Sequence, residues 1–519
     1  MARDAALRGL DVCLVERGDL AAGTSSRSTR FIHGGLRYLQ TLEFGFVREG
    51  LHERATLMRV APHLVHPTEF LFPAVRGGGM PRLALRCGIG LYDLLAGRGR
   101  LPGTRSLSRS QTLLQEPTLR GDRLRGSVIY FDGAADDARL VIETAIGAVE
   151  AGACVALHVE VERVVPSEHG SAVLVLRDRL TGASLGARAA VVVNAAGVWA
   201  GTLLQAGNGA SRKRSPAALR PSRGSHIVVA RESLPLLRVV VMPSRSDGRL
   251  LFAVPCGDFT YLGTTEVDHT GPLDPVAADA SELDYILTVA QEVFEAPGLS
   301  RDKVLFTWAG IRPLVERPHI STGRLSRDFR ILQEAPGVVS VVGGKLTSCR
   351  RMAQATLDLA AGVLMARTGK QADTCITGWK LFPGSEGAVP AEEEGATVEA
   401  GVARHLRTVY GSRCALIFRK IAQAPALGKP YAPGCPVTPA EVIHAVEREG
   451  AVRLADLLFR RFHPVMMEAR LKSAQGKAVA EGASRVMASW LGWSEERRLK
   501  EMSLAAEEWE KDFRVPRPA

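Results

Sequence analysis

The sequence has no paired cysteines. Its eight, at Cys13, Cys87, Cys154, Cys256, Cys349, Cys375, Cys414 and Cys435, are scattered singly, and none falls in a C-x-x-C pair. Zinc ribbons, thioredoxin-like redox pairs and local iron–sulfur motifs are thus unsupported, no metal is expected, and reduced thiols in a cytoplasmic compartment are. No run of about 18 uncharged apolar residues is present to span a bilayer. No charged stretch followed by an apolar run and a cleavage site marks a secretory signal. A basic-aromatic array is also missing, which sets nucleic acid aside as a partner. One further absence is more specific. The opening "MARDAALRGLDVCLVERGD" reads as the second half of a dinucleotide-binding βαβ unit: a helix with Ala2, Ala5 and Ala6 on one face, a stop at Gly9, an apolar strand over residues 10–15, and Glu16 at its end. Such a carboxylate accepts hydrogen bonds from ribose hydroxyls and follows a G-x-G-x-x-G loop by roughly 20 residues. No such loop stands before Glu16.

What is present is enough for a large folded protein. At 519 residues, with 23% charged and 46% hydrophobic residues, the composition excludes wholesale disorder and allows two or three domains. The formal charge of +11 suits an anionic partner, either a phosphorylated substrate or an anionic membrane surface, although abundant arginine is also a compositional trait. "RAAVVVNAAGVWAG" gives a buried strand over residues 190–194 and a small-residue turn; "GVVSVVGGKLTSCRRMAQATLDLAAGVL" gives a strand over 338–342, a Gly-Gly turn and a helix. Continuous apolar strands of this kind belong to parallel sheets covered on both faces. Between them "GSHIVVA", "RLLFAVPCGDFTYLGTTEVD" and "KVLFTWAGIRPLV" read as further strands, and amphipathic helices follow a Pro-, Gly- and Glu-rich linker at 383–398. The segment "MPRLALRCGIGLYDLLAGRGR" sets apolar residues beside Arg82, Arg86, Arg98 and Arg100, and suits either an anionic leaflet or the core.

The stretch "GTSSRSTRFIHGGLRYLQ" carries the most chemistry. Glycines and hydroxyls let backbone N–H groups approach an anion, and Gly34-Gly35 is followed at once by Arg37 and Tyr38. Five blocks, "TSSRSTRFIHGGLRYLQ", "SRGSHIVVA", "LGTTE", "AGIRPL" and "VVGGKLTSCRRMA", stand here in the order they have in FAD-dependent glycerol-3-phosphate dehydrogenases. The chain resembles that family from residue 2 to about 370, and more loosely through "YGSR" and "EVIHAVEREGAVRLADLLFRR" in its tail.

The resemblance implies an α/β fold: an FAD-binding Rossmann-like domain of the glutathione-reductase type, an inserted β-rich substrate domain, and a C-terminal helical domain. The expected boundaries are about 1–75, 128–225 and 330–382 for the FAD domain, 76–127 and 226–329 for the substrate domain, and 399–519 for the helical domain. It implies oxidation of sn-glycerol 3-phosphate to dihydroxyacetone phosphate, with hydride passing to FAD and electrons to a membrane quinone. Peripheral attachment to the inner face of the cytoplasmic membrane follows, and a homodimer is compatible with it. Alternatives are an oxidase of the same fold using dioxygen, and a truncated, non-catalytic remnant that binds the metabolite. Because the family begins with a strand and a Gly-rich loop, Met1 is expected to be a misassigned start, or the chain a shortened version, with about twenty residues more in the working enzyme.

Matching positions assign the site. A phosphate monoester carries nearly two negative charges and needs fixed cations with directional donors, so Arg312, Arg37 and Lys345 are assigned to substrate oxygens, with Tyr38 beside them. Oxidation of a secondary alcohol needs a proton acceptor and stabilisation of the developing carbonyl. His226 is favoured as the acceptor and His33 as the residue orienting flavin and substrate, although the sequence does not separate the two roles. Glu16 is expected at the adenosine ribose, Thr24, Ser25 and Ser26 near the pyrophosphate, and Ala196 and Gly197 by the adenine half. His33, Gly34, Gly35, Gly343, Gly344, Leu346 and Thr347 are expected around the flavin ring. One departure is Glu266, where the family usually has Asp.

Overall fold

In this computed structural model the described residues are 1–76, 81–167, 170–201, 219–316, 327–390, 398–462 and 470–517. The strands read as fully covered are short and parallel. Strand β1 (Cys13–Val15) pairs with β6 (Cys154–Ala156), and β10 (Val192–Asn194) pairs with β18 (Val338–Gly343), which antiparallel β17 (Phe329–Ala335) extends. Alternate residues of β18 explain its continuous apolar run. Val338 packs into a cluster with the antiparallel meander of β7 (Val159–Val165), β8 (Ala172–Asp178) and β9 (Ser184–Ala189). Val339 packs the other way, on Ala5 of the first helix and on Leu357 and Ala360 of the helix Cys349–Thr368. Two-sided cover of this kind removes the polar alternation a one-sided strand would show. The β1–β6 pair and the β10–β18–β17 sheet are separate, and one cavity is lined by both β1 and β10.

Among the described residues the second sheet is mixed and ten-stranded. Its order is β15 (Val267–Asp268), β11 (Leu219–Ala230), β14 (Phe259–Gly263), β13 (Leu250–Cys256), β12 (Val239–Pro243), β3 (Val65–Val75), β5 (Leu124–Ala135) and β2 (Phe31–Ile32), with β16 (Val304–Val315) on β11 and β4 (Arg105–Ser108) on β5. Residues 65–75 and 128–135, expected in the FAD domain, pair into this sheet toward its β2 end, with β3 antiparallel to β5 and parallel to β12. Their apolar runs arise because this sheet, too, is covered on both faces. On one side Ile227 and Val229 join Leu283 and Ile286 of the helix Ala280–Val293, whose start is closed by an Asp279–Glu282 capping box. On the other, Phe70, Val228 and Trp308 share a core with Leu454, Leu457, Phe459, Trp509 and Phe513 of the C-terminal helices. Each such side chain contributes about 1.5–3 kcal/mol when fully buried.

The tail is helical as expected, with helices at Ala400–Tyr410, Cys414–Gln423, Pro439–Glu449, Ala474–Leu491 and Glu495–Asp512. Of the linker expected at 383–398, Pro383–Ser385 forms a single turn, and 391–397 lies outside the described residues. The helix Arg82–Leu95 buries Leu85, Ile89 and Tyr92 but exposes Leu83, Leu91 and Leu94. Among the described residues no helix is long and apolar enough to cross a membrane.

Candidate active site

One cavity of about 2430 Å³ runs between the parallel strands, along the near edge of the large sheet and under the C-terminal helices. Its wall includes every residue expected at the site except Ser26 and Gly34. Both exceptions have a physical reason. The Ser26 hydroxyl donates to the Ala21 carbonyl at 2.8 Å, closing the loop on itself. Gly34 faces the helix Phe44–Val60, where a Cβ would meet Leu51 at 2.7 Å, and its N–H donates to the Tyr92 hydroxyl at 2.8 Å. That hydroxyl donates to Asp132 at 2.7 Å, and Asp132 also accepts from Arg54 at 3.0 Å. The glycine thus anchors the turn from behind.

At one end of the cavity, Glu16 closes β1 with its Oε1 accepting the Gly18 N–H at 2.9 Å, and burial raises its carboxyl above the usual range. Thr24 and Ser25 lie further along, with the Thr24 hydroxyl donating to the Ile311 carbonyl at 2.7 Å. Ala196 and Gly197 approach from the end of β10.

At the other end the two Gly-Gly turns face each other. Gly35 (φ +84°), Gly343 (φ +82°) and Gly344 (φ +83°) occupy the left-handed region, which explains glycine there. A Cβ on Gly35 would meet Tyr38 at 2.6 Å, and one on Gly344 would meet the Met352 sulfur at 2.3 Å. The Thr347 hydroxyl accepts the His33 N–H at 3.1 Å and so ties the turns together, and Leu346–Ser348 leads directly into the helix Cys349–Thr368.

Between these turns and the sheet edge stands a cluster of cations. Arg312 lies flat over Gly224, where a Cβ would clash with its guanidinium, and donates to the Thr265 carbonyl at 3.2 Å and the Thr264 hydroxyl at 3.0 Å. Burial, then the nearby Arg327, brings Arg312 down to about 10. Arg327 donates to Glu266 at 2.7 Å; Arg37 and Arg249 stand 3.6 and 3.8 Å from the same carboxylate. Burial alone would raise Glu266, but Arg327 and Arg312 hold it below its usual range. Lys345 Nζ sits 4.3 and 4.0 Å from the ring centroids of Tyr38 and Phe46, which meet edge to face. Burial and the charge of Arg327 bring this amine down to about 7.

The two histidines are both held neutral. Burial, with Lys345, Arg327 and Arg54 nearby, takes His33 down to about 3. Burial followed by Arg312 and Arg30 drives His226 well below its ordinary value. The His226 ring stacks on Trp308 at 4.7 Å, its Nε2 is hydrogen-bonded to the Thr29 hydroxyl at 2.9 Å, and its Nδ1 is buried without a partner among the described residues. Sequence reasoning missed Arg249, Arg327, Asp132 and Phe46. The first two are brought in by strand pairing and Asp132 by β5; only Phe46, eight residues after Tyr38, lay close to a recognised block.

The family model described as FAD dependent oxidoreductase matches residues 1–358, and that described as C-terminal domain of alpha-glycerophosphate oxidase matches 349–498. The chain belongs to the FAD-dependent oxidoreductases. Within this family its curated relatives are glycerol-3-phosphate dehydrogenases, and it is a member of that group. Glycerol-3-phosphate dehydrogenase 2 of Mycobacterium tuberculosis is 35% identical over 500 residues, covering 95% of this chain and 83% of the relative. Aerobic glycerol-3-phosphate dehydrogenase of Staphylococcus saprophyticus is 31% identical over 473 residues, covering 89% and 84%. A solved glycerol-3-phosphate dehydrogenase from Bacillus halodurans, complexed with FAD, matches with a TM-score of 0.78 at 28% identity over 98% of this chain and 92% of that one. L-alpha-glycerophosphate oxidase of Mycoplasma pneumoniae shares the fold, with a TM-score of 0.54 at 17% identity over 73% of this chain and 94% of that one.

The residues of this FAD-dependent oxidoreductase fit its cofactor. The half-buried Glu16 carboxylate could accept from ribose hydroxyls, Gly343 and Gly344 leave backbone open to the cavity, and a helix N-terminus lies beyond Thr347. Glu16, Thr24, Ser25, Ala196 and Gly197 would hold the adenosine and pyrophosphate half. His33, Gly35, Gly343, Gly344, Leu346 and Thr347 would hold the flavin half.

Proposed function

We propose that this chain oxidises sn-glycerol 3-phosphate to dihydroxyacetone phosphate. The observation that carries the proposal is the convergence of Arg37, Arg249, Arg312 and Arg327 on the flavin end of the cavity, with Glu266 as a shared counter-charge, Asp247 beside Arg249, and Lys345 in the same wall. Four guanidinium groups exceed these carboxylates and match a phosphate close to doubly ionised, whose oxygens such planar groups bind with fixed geometry. The names of the relatives support the same substrate.

Bound FAD supplies the acceptor for the hydride leaving the carbinol carbon. Arg312, held rigid by Thr264, Thr265 and the floor of Gly224, orients the anionic end of the substrate. The hydroxyl proton goes to Lys345. A general base works best with its pKa near the operating pH, and Lys345 is half-buried and near 7, whereas His226 has one ring nitrogen engaged and the other sealed from the cavity. His226 then serves as a neutral wall, and His33 fixes the Gly34–Gly35 turn against Thr347. Anaerobic mixing with glycerol 3-phosphate is expected to bleach the flavin, and equal bleaching by glycerol would defeat the phosphate assignment.

The electrons are assigned to a membrane quinone. Leu83 (71% exposed) and Leu94 (74%) stand exposed on the helix Arg82–Leu95, which with the turn after it also carries exposed Arg82, Arg86, Arg98 and Arg100. Such a surface suits an anionic leaflet, with about 1 kcal/mol per basic residue. Co-sedimentation with anionic liposomes at low salt tests this contact; protein left wholly in the supernatant would refute it.

A further inference from the structure

The ribose end of the cavity is built from two distant parts of the chain. Asp19, three residues after Glu16, is buried, and its carboxylate accepts from three arginine N–H groups of the C-terminal domain. Arg461 grips it with both terminal nitrogens at 2.6 and 2.7 Å, and Arg460 Nε reaches it at 2.5 Å. These consecutive arginines sit in a π-helical turn, Leu457–Arg461, where the widened backbone brings both to one carboxylate.

Both arginines are themselves fixed. Arg460 donates to Asp456 and Glu508 at 3.0 Å each, and Arg461 donates to the Glu449 carbonyl at 2.8 Å. Asp456 in turn accepts the N–H groups of Val452 and Arg453 and stands 3.4 Å from His158 Nε2. His158 closes the circuit on the loop: its N–H donates to the Gly18 carbonyl at 2.8 Å, and its own backbone is held at φ +57°, an uncommon conformation for a non-glycine residue. The loop 16–19 is thus clamped at Gly18 from β6 and at Asp19 from the tail. Asp456, Arg460 and Glu508 line the same cavity as Glu16, so the clamp also forms part of its wall.

We propose that Arg460 and Arg461 are positioning residues for the flavin cofactor: through Asp19 they hold the Glu16 loop in its ribose-binding shape, so that the C-terminal domain sets how long FAD is retained. The proposal rests on FAD occupying this cavity and is independent of which substrate is oxidised. Coupling through one such element is worth on the order of 5–150-fold in affinity. In the holoenzyme, Arg461→Met and Asp19→Asn are each expected to release FAD faster by a factor in that range, read as recovery of free flavin fluorescence after dilution. At saturating FAD, KM for glycerol 3-phosphate should stay at its wild-type value. Arg461→Lys, which keeps the charge without the two-pronged grip, should fall between. Where a single variant fails to fold, the uncharged pair Asp19→Asn/Arg461→Met and the wild-type protein carry the test. Hydrogen exchange at residues 453–461 should slow when FAD, or ADP as a probe of this end alone, is added to flavin-depleted wild-type enzyme. Release within twofold of wild type in every folded variant, even with a lowered melting temperature, would overturn the proposal, as would exchange at 453–461 that ignores both nucleotides.

Discussion

The two ends of the cavity are both rich in arginine, yet they use it in opposite ways. At the ribose end Arg460 and Arg461 meet Asp19, Asp456 and Glu508, and deeper in the same network Arg139 holds Glu449. Each cation there is answered by a protein carboxylate. At the flavin end Arg37, Arg249, Arg312 and Arg327 crowd around Glu266, with Asp247 answering only Arg249 and Lys345 pushed toward its neutral form. Burying charge is expensive unless it is paired, so an unbalanced cluster marks a place where a ligand completes the pairing. Balance, by contrast, marks architecture. On the proposed function the same residue type serves substrate at one end and structure at the other, and local sequence does not distinguish them.

This contrast can be broken by experiment. The largest effect is expected at Arg312. Arg312→Ala should lower kcat/KM for glycerol 3-phosphate by roughly 10²–10³-fold while FAD content stays at the wild-type level, and a fall in FAD content instead would erase the distinction between the ends. Lys345→Met follows. Wild-type kcat/KM should rise as pH climbs through about 7, as Lys345 loses its proton, and the variant should lose that limb together with roughly 10²-fold in rate. A limb that survives in Lys345→Met would return the proton to another group.

The ribose end should respond to acid rather than to substrate. Burial would raise the Glu449 carboxyl, but Arg139 overcomes this and holds it at about 2. Its folded value is thus below the roughly 4.3 of an unfolded glutamate, so its stabilisation is complete above that value and drains away as pH falls toward about 2. Tryptophan fluorescence from Trp509 should report loosening of the tail in this window, and a signal flat down to pH 2 would contradict it. The smallest effect belongs to Ser26→Ala. Losing one local hydrogen bond should lower stability by about 1 kcal/mol and leave flavin binding unchanged by titration.

Features whose cause is local were legible in the sequence. The Gly-Gly pairs at 34–35 and 343–344, the apolar run of β18, the helix stop at Gly9 and the helical tail all follow from short-range demands on backbone or pattern. Arg312 and Lys345 were picked out because they stand in blocks shared with the family, not because of any local pattern. Arg249 and Arg327 were not, since β13, β17 and the large sheet bring them to Glu266 from 17 and 61 residues away in the chain. The preference for Lys345 over His226 as proton acceptor turns on a stack with Trp308 and an aromatic pair around an amine, and neither leaves a trace in spacing. The pairing of β3 and β5 with the large sheet left no trace in the sequence, because a strand covered on both faces reads alike in either sheet.

The core that Phe70, Val228 and Trp308 share with Leu457, Phe459 and Trp509 bears on how the protein can vary. The tail is no appendage that can be trimmed or exchanged between relatives, because removing it would bare one whole side of the ten-stranded sheet to water. Substitutions along that seam must come in matched sets. A chain ended at residue 390 is expected in inclusion bodies, without bound flavin.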